Sequence, residues 1–175
     1  WKNISFQMRC LLMSFKTFFS GNEDSYILLN GNKYVTKHET VTKELYQQHL
    51  EGKLSLGIIP ITKDNTCRFA VIDDDSHKSD KSKPIQQYDY KKLLKKIDLL
   101  NLPLIVYKSK SGGAHIKLLL DKQYPAYKVR NYLKKIAYQL CDGKFEIFPK
   151  QDKIDLSKNE TGSAINLPYH NGNTR

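Results

Sequence analysis

The chain has 175 residues, with 29 Lys and Arg against 18 Asp and Glu, giving a formal net charge of +11. That length corresponds to about one domain with a real core, and no apolar run reaches the ~18 residues a membrane span needs. The cationic excess suits a polyanionic partner, although solubility alone would also account for it.

Gln7 to Phe19 is spaced as an amphipathic helix ended by Ser20-Gly21-Asn22. Its apolar part is interrupted by Arg9 and Lys16 and lacks the cleavage pattern of a signal peptide. Tyr26 to Leu29 and Tyr34-Val35 flank Asn30-Gly31-Asn32, a hairpin signal. Thr42 stands at the start of a helix from Lys43 to Leu50, closed by Gly52. Leu54 to Ile59 reads as a strand ended by Pro60, and Cys67 to Ile72 as another that runs into Asp73-Asp74-Asp75. Ser76 to Pro84 is polar and reads as a loop. Tyr88 to Leu100 has helical period, with lysines at Lys91, Lys92, Lys95 and Lys96. Leu104 to Lys108, the Ser109 to Gly113 turn and Ala114 to Leu120 form a second hairpin. Tyr127 to Leu140 reads as a helix, Phe145 to Phe148 as a short strand, Asp152 to Thr161 as a polar loop and Ala164 to Leu167 as the last strand. Strands that meet through short turns favour an α+β fold with mixed or antiparallel sheet.

The cysteines Cys10, Cys67 and Cys141 show no CxxC pairing and no His at zinc-ligand spacing, and their odd count argues against a disulfide framework. They are expected to be buried thiols of a reducing cytoplasm.

Three places can carry chemistry. Asp73 and Asp75 are two apart in extended chain, so they face one side, with Asp74 facing the other. Such a pair suits a hard cation such as Mg²⁺ or Mn²⁺, or is a solvated acidic loop after a strand. Lys108-Ser109-Lys110-Ser111-Gly112-Gly113-Ala114-His115 offers a close backbone approach, hydroxyls, cations and an imidazole to an anion, or is a plain hairpin turn. Glu146, flanked by Phe145 and Ile147, is a surface strand residue or a metal ligand.

The order of these pieces is more specific than any one of them. Ile72-Asp73-Asp74-Asp75, Ser111-Gly112-Gly113-Ala114-His115 and Phe145-Glu146 resemble the three motifs of the archaeo-eukaryotic primase superfamily. The flanks from His49 to Pro60, from Glu146 to Asp152 and from Gly162 to Tyr169 resemble its branch found in mobile elements, in conflict systems and beside CRISPR adaptation genes. The likeness covers about residues 40 to 172; the first forty read as an N-terminal extension. The turn is one residue shorter than the commoner form, the third acid is Glu rather than Asp, and the zinc-binding Cys cluster of many relatives is absent.

The resemblance implies one catalytic domain over 1–175, expected to come from a longer protein. It implies an N-terminal α/β unit packed with a unit like an RNA-recognition fold, the active site lying between them. The chemistry implied is template-directed primase-polymerase activity: two-metal nucleotidyl transfer from dNTPs or NTPs, by extension or by starting chains. Asp73, Asp75 and Glu146 would hold two Mg²⁺ or Mn²⁺ ions, with no zinc. Ser109, Lys110, Ser111, Gly112, Gly113 and His115 would bind the nucleotide, and Lys150, Asn166 and His170 sit where relatives line its pocket. Lys91, Lys95, Lys128, Arg130, Lys134 and Lys135 would track a single-stranded DNA or RNA template and primer, or are simply solvated helix faces. Other domains, CRISPR adaptation proteins or replication proteins are further expected partners; a membrane is not. The rivals are a metal-dependent nuclease and a non-catalytic single-strand-binding module. The first wants a Lys two residues after an acid on one strand, which Glu146-Ile147-Phe148 lacks. The second would have no use for Asp73 and Asp75.

Overall fold

A computed structural model of the chain describes residues 6–30, 33–75 and 88–172, the first helix by its backbone alone as far as residue 11. The Gly31-Asn32 turn, the loop expected over 76–84 and the side chain of Cys10 lie outside the described residues.

The elements in chain order are α1 (Phe6–Phe18), β1 (Tyr26–Asn30), β2 (Lys33–Lys37), α2 (Lys43–Leu50), β3 (Ser55–Ile58), β4 (Thr66–Asp74), α3 (Tyr90–Leu99), β5 (Ile105–Lys108), β6 (Ala114–Pro125), α4 (Ala126–Leu140), β7 (Phe145–Phe148) and β8 (Ile165–Asn166). They build two four-stranded sheets, β2-β1-β3-β8 and β5-β6-β4-β7. All strand pairs are antiparallel. The fold is therefore α+β, as expected. The second sheet is a β-α-β-β-α-β unit in which β6 lies between β4 and β5, the split βαβ arrangement. The first sheet is completed by the last strand, β8, which returns to pair with β3.

Side-chain alternation on β4 decides which residues face the site. A register shift between Cys67 and Phe69 resets the alternation. Cys67, Ala70 and Ile72 then point into one core, packed by Leu93 and Ile97 of α3 and by Val129, Leu133, Ile136 and Leu140 of α4. The i, i+4, i+7, i+11 spacing of those α4 residues is the apolar stripe a covering helix needs. Phe69 and Val71 point the other way, into a second core with Phe15, Phe19, Tyr46, Leu56 and Ile58. Asp73 continues that second face and Asp74 the first. Cys67 is fully buried, and burial pushes its thiol up to about 12. Cys141 is only partly buried, against the expectation that all the thiols are interior.

His49 ties the first sheet to the C-terminal segment. It is fully buried and stacks on Phe15 at 6.2 Å between ring centroids. Its Nδ1 accepts the Leu56 N–H at 3.1 Å, so the ring proton sits on Nε2 and is donated to the Pro168 carbonyl at 2.9 Å. Burial lowers its pKa from 6.5 to about 4. Between those values the unfolded chain takes up a proton that the folded chain refuses. Stability is thus expected to fall as pH drops from 6.5, by up to about 1.4 kcal/mol per pH unit from this group. His49→Leu leaves the Leu56 N–H and the Pro168 carbonyl unpaired, which costs about 2–4 kcal/mol at pH 7, and flattens the dependence. Urea unfolding of both proteins at pH 7 and pH 5 checks this; equal slopes would contradict it.

Candidate functional site

The register of the second sheet places Tyr107, His115, Asp73 and Glu146 in one row across β5, β6, β4 and β7. Opposed residues in a ladder share a face, so three of the expected site residues stand side by side. β4 extends through Asp73 and Asp74, two residues further than the apolar run suggested, because both pair with β6 and β7.

Each carboxylate has its own partner. Asp73 Oδ1 lies 3.4 Å from His115 Nε2, and both side chains are largely buried. Glu146 Oε2 pairs with Lys150 Nζ at 2.8 Å and is exposed. Asp75 Oδ1 accepts from Ser111 Oγ at 2.9 Å. Asp74 faces the helices as expected, 1% exposed, and accepts from Tyr88 Oη at 2.6 Å. Burial, reinforced by that hydrogen bond, holds the Tyr88 phenol far above its usual range.

The Ser109–Gly113 turn is anchored on this row. Ser109 N–H donates to the Gly113 carbonyl at 2.8 Å and Gly112 N–H to the Ser109 carbonyl at 3.1 Å. Gly112 has φ +93°, a conformation that favours glycine. The Ser109 and Ser111 hydroxyls are 3.0 Å apart, and Tyr90 Oη donates to the Gly113 carbonyl at 2.8 Å, steadying the turn from α3. The Gly112 amide is engaged inside the turn, whereas Ser109, Lys110, Ser111 and His115 line the adjoining cleft.

A cleft of about 670 Å³ lies between the two sheets over this turn. Asp73, Ser109, Lys110, Ser111, His115 and Asn166 line it, together with Ile27, Tyr34 and Thr36 of the β1-β2 hairpin. His170 lines an adjoining recess with Lys108, Lys110 and Asn166. Lys150 lines neither; it lies on the Glu146 side of the row, in a groove between α4 and β7. Arg130 and Lys134 line that same groove. Lys91, Lys95, Lys128 and Lys135 are exposed on α3 and α4 and line none of these spaces. Lys92 and Lys96 pair with Asp142.

Three residues escaped the sequence reading. Tyr34, in the stretch read as an extension, accepts a 2.8 Å hydrogen bond from Asn166 Nδ2 and closes the cleft wall. Gly57 on β3 lies between Ile27 and Asn166, with no room for a Cβ. Lys117, one alternation behind His115, is fully buried. Its Nζ lies 3.4 Å from the Asn166 carbonyl, 4.9 Å from the Phe19 ring centroid and 5.3 Å from that of Tyr107, and burial lowers its pKa to about 7. The hairpin was legible as a hairpin; nothing in its local pattern says that it walls a cleft.

Among the described residues no three of His, Cys, Asp and Glu form a ready-made metal cage. The donor chemistry nonetheless fits hard divalent cations: Asp73 and Glu146 are opposed on one face, and Asp75 follows on the same alternation.

Asp73 and the Ser/Lys/His turn line a cleft between two antiparallel sheets, with Glu146 beside Asp73 in the row. Residues 29–175 match the family described as TOTE conflict system, Archaeo-Eukaryotic Primase domain, and the chain belongs to that family. The family match points to a nucleotidyltransferase-type enzyme. The match begins inside β1 and so takes in Tyr34, earlier than the start at about residue 40 read from the motifs. None of the curated proteins matches the chain. No helix among the described residues is long and apolar enough to cross a membrane.

Proposed function

We propose that this chain is a template-directed primase-polymerase that joins nucleotides in the cleft between its sheets. The observation that carries the reading is the His115–Asp73–Glu146 row with the Ser109–Gly113 turn folded against it. Ser109, Lys110, Ser111 and His115 bind the triphosphate of the incoming nucleotide, where hydroxyl, ammonium and imidazole donors meet phosphate oxygens. Asn166 and Tyr34 form the wall against its nucleoside end, and His170 lies beyond Asn166.

Asp73, Asp75 and Glu146 would hold Mg²⁺ or Mn²⁺; such ions, when bound, acidify an attacking 3′-hydroxyl and neutralise a leaving pyrophosphate. Glu146 would exchange its Lys150 partner for that role. In the reaction the 3′-oxygen bonds to the α-phosphorus as the bond to the β-phosphate bridging oxygen breaks. The substrates are dNTPs or NTPs, and the partners a single-stranded DNA or RNA template and a primer or a first nucleotide.

The test is incubation with a labelled template, with and without primer, nucleotides and Mn²⁺. Template-dependent extension or primer synthesis is expected. Degradation would turn the assignment to a nuclease, and a bare mobility shift to a binding module.

A further inference from the structure

We propose that the groove between α4 and β7 holds the 3′-terminal segment of the strand that attacks the incoming nucleotide. The inference rests on the polymerase reading and adds to it which strand lies where.

In nucleotidyl transfer the attacking and leaving oxygens stand roughly in line across the reacting phosphorus. The Ser109–Gly113 turn and His115 lie on the β6 side of Asp73, and Glu146 lies on its β7 side. A triphosphate held at the turn therefore directs its leaving group toward β6, and the attacking hydroxyl has to arrive from the side of Glu146. A groove of about 460 Å³ opens there, with Glu146 on its rim.

Arg130, Lys134, Lys144 and Lys150 line the groove. Arg130 is paired with Asp152 at 3.1 Å and Lys150 with Glu146. Lys134 and Lys144 have no carboxylate within ion-pair distance among the described residues. Tyr138, which lines the same groove and is 68% exposed, stands edge-on to Phe145 at 5.3 Å between ring centroids. Cations without acidic partners beside an uncovered aromatic ring are the combination that binds a phosphate backbone and stacks a base. The lysines of α3 line no part of this groove, and α3 carries no exposed aromatic ring.

The experiment compares wild type with Lys134→Glu/Lys144→Glu, with the milder Lys134→Ala/Lys144→Ala and with Tyr138→Ala, all at exposed positions whose thermal midpoints are expected to be unchanged. The reversal should weaken single-strand affinity and raise the primer KM by at least about tenfold. It should also lower the log–log salt slope by about 1.4, two phosphates at about 0.7 each. Tyr138→Ala should weaken the strand by about one decade. The dNTP KM should stay within about twofold in every variant, as should all values for Lys122→Glu, an exposed position toward the far end of β6. A primer carrying a photoreactive 5-iodouracil near its 3′ end should crosslink to Tyr138 or Phe145. Extension by wild type with unchanged primer KM in the reversal variant, or crosslinks to these rings from the template strand instead, would overturn the placement. Loss of strand affinity in the variants of a protein that never extends would support the groove and sink the polymerase reading.

Discussion

Asp73→Asn is expected to lower nucleotide incorporation by about three decades while leaving the fold intact. Asp73 sits at the centre of the row, with His115 on one side and Glu146 on the other. It is the carboxylate that a reacting phosphate held at the turn would meet first. Removing its charge removes an ion ligand, and stabilisation of that kind contributes several kcal/mol to a phosphoryl-transfer barrier, which is about three decades in rate. The amide is isosteric, and among the described residues Asp73 has no side-chain partner nearer than His115 at 3.4 Å, so little stability is at stake. Asp73→Asn with Asp75→Asn should abolish the residue of activity. Asp74→Ala is the contrast: its carboxylate is buried against Tyr88 on the helix face, so its loss should cost about 1–3 kcal/mol of stability, which urea unfolding will show. Normal kcat in the Asp73 variant would remove the assignment.

His115→Ala is expected to act on the nucleotide alone. A hydrogen bond to a charged group is worth about 1.5–3 kcal/mol, or one to two decades in affinity. The dNTP KM should rise by that factor, or extension should stop. Single-strand affinity should stay within about twofold, because the strand groove lies across β4 and β7 from His115. In a nuclease the same histidine would activate water, and its loss would stop cleavage whatever the nucleotide concentration. Titrating labelled dNTP and labelled single strand against both proteins separates these cases; equal dNTP affinity would refute the triphosphate role.

Much of this was legible in the sequence because the signals are local. The helices over 43–50 and 126–140 follow from apolar spacing and their flanking breakers, and β7 from Phe145-Glu146-Ile147-Phe148 between Gly143 and Pro149. Motif order sufficed to single out Asp73, His115 and Glu146, which the sheet then sets in a row. What the sequence did not display depends on long-range pairing. The extension of β4 into its acids comes from ladders to residues about forty and seventy positions away. Lys150 looked like a pocket residue by its place in the motif, yet the i+4 contact turns it to Glu146 on the far side of the row. Lys117 sits in a strand whose neighbours are apolar, and its burial follows from Phe19, just past α1, and Tyr107 of β5. The lysine faces of α3 and α4 look equivalent as composition; packing against β7 brings only Arg130 and Lys134 to the site.

The most direct measurement is incorporation of single labelled nucleotides on homopolymer templates in Mg²⁺ or Mn²⁺, by wild type and by Asp73→Asn/Asp75→Asn. The account predicts that wild type incorporates only the nucleotide complementary to each template and that the double variant incorporates none. Incorporation by the double variant, or none by wild type on any template with either ion, would contradict it.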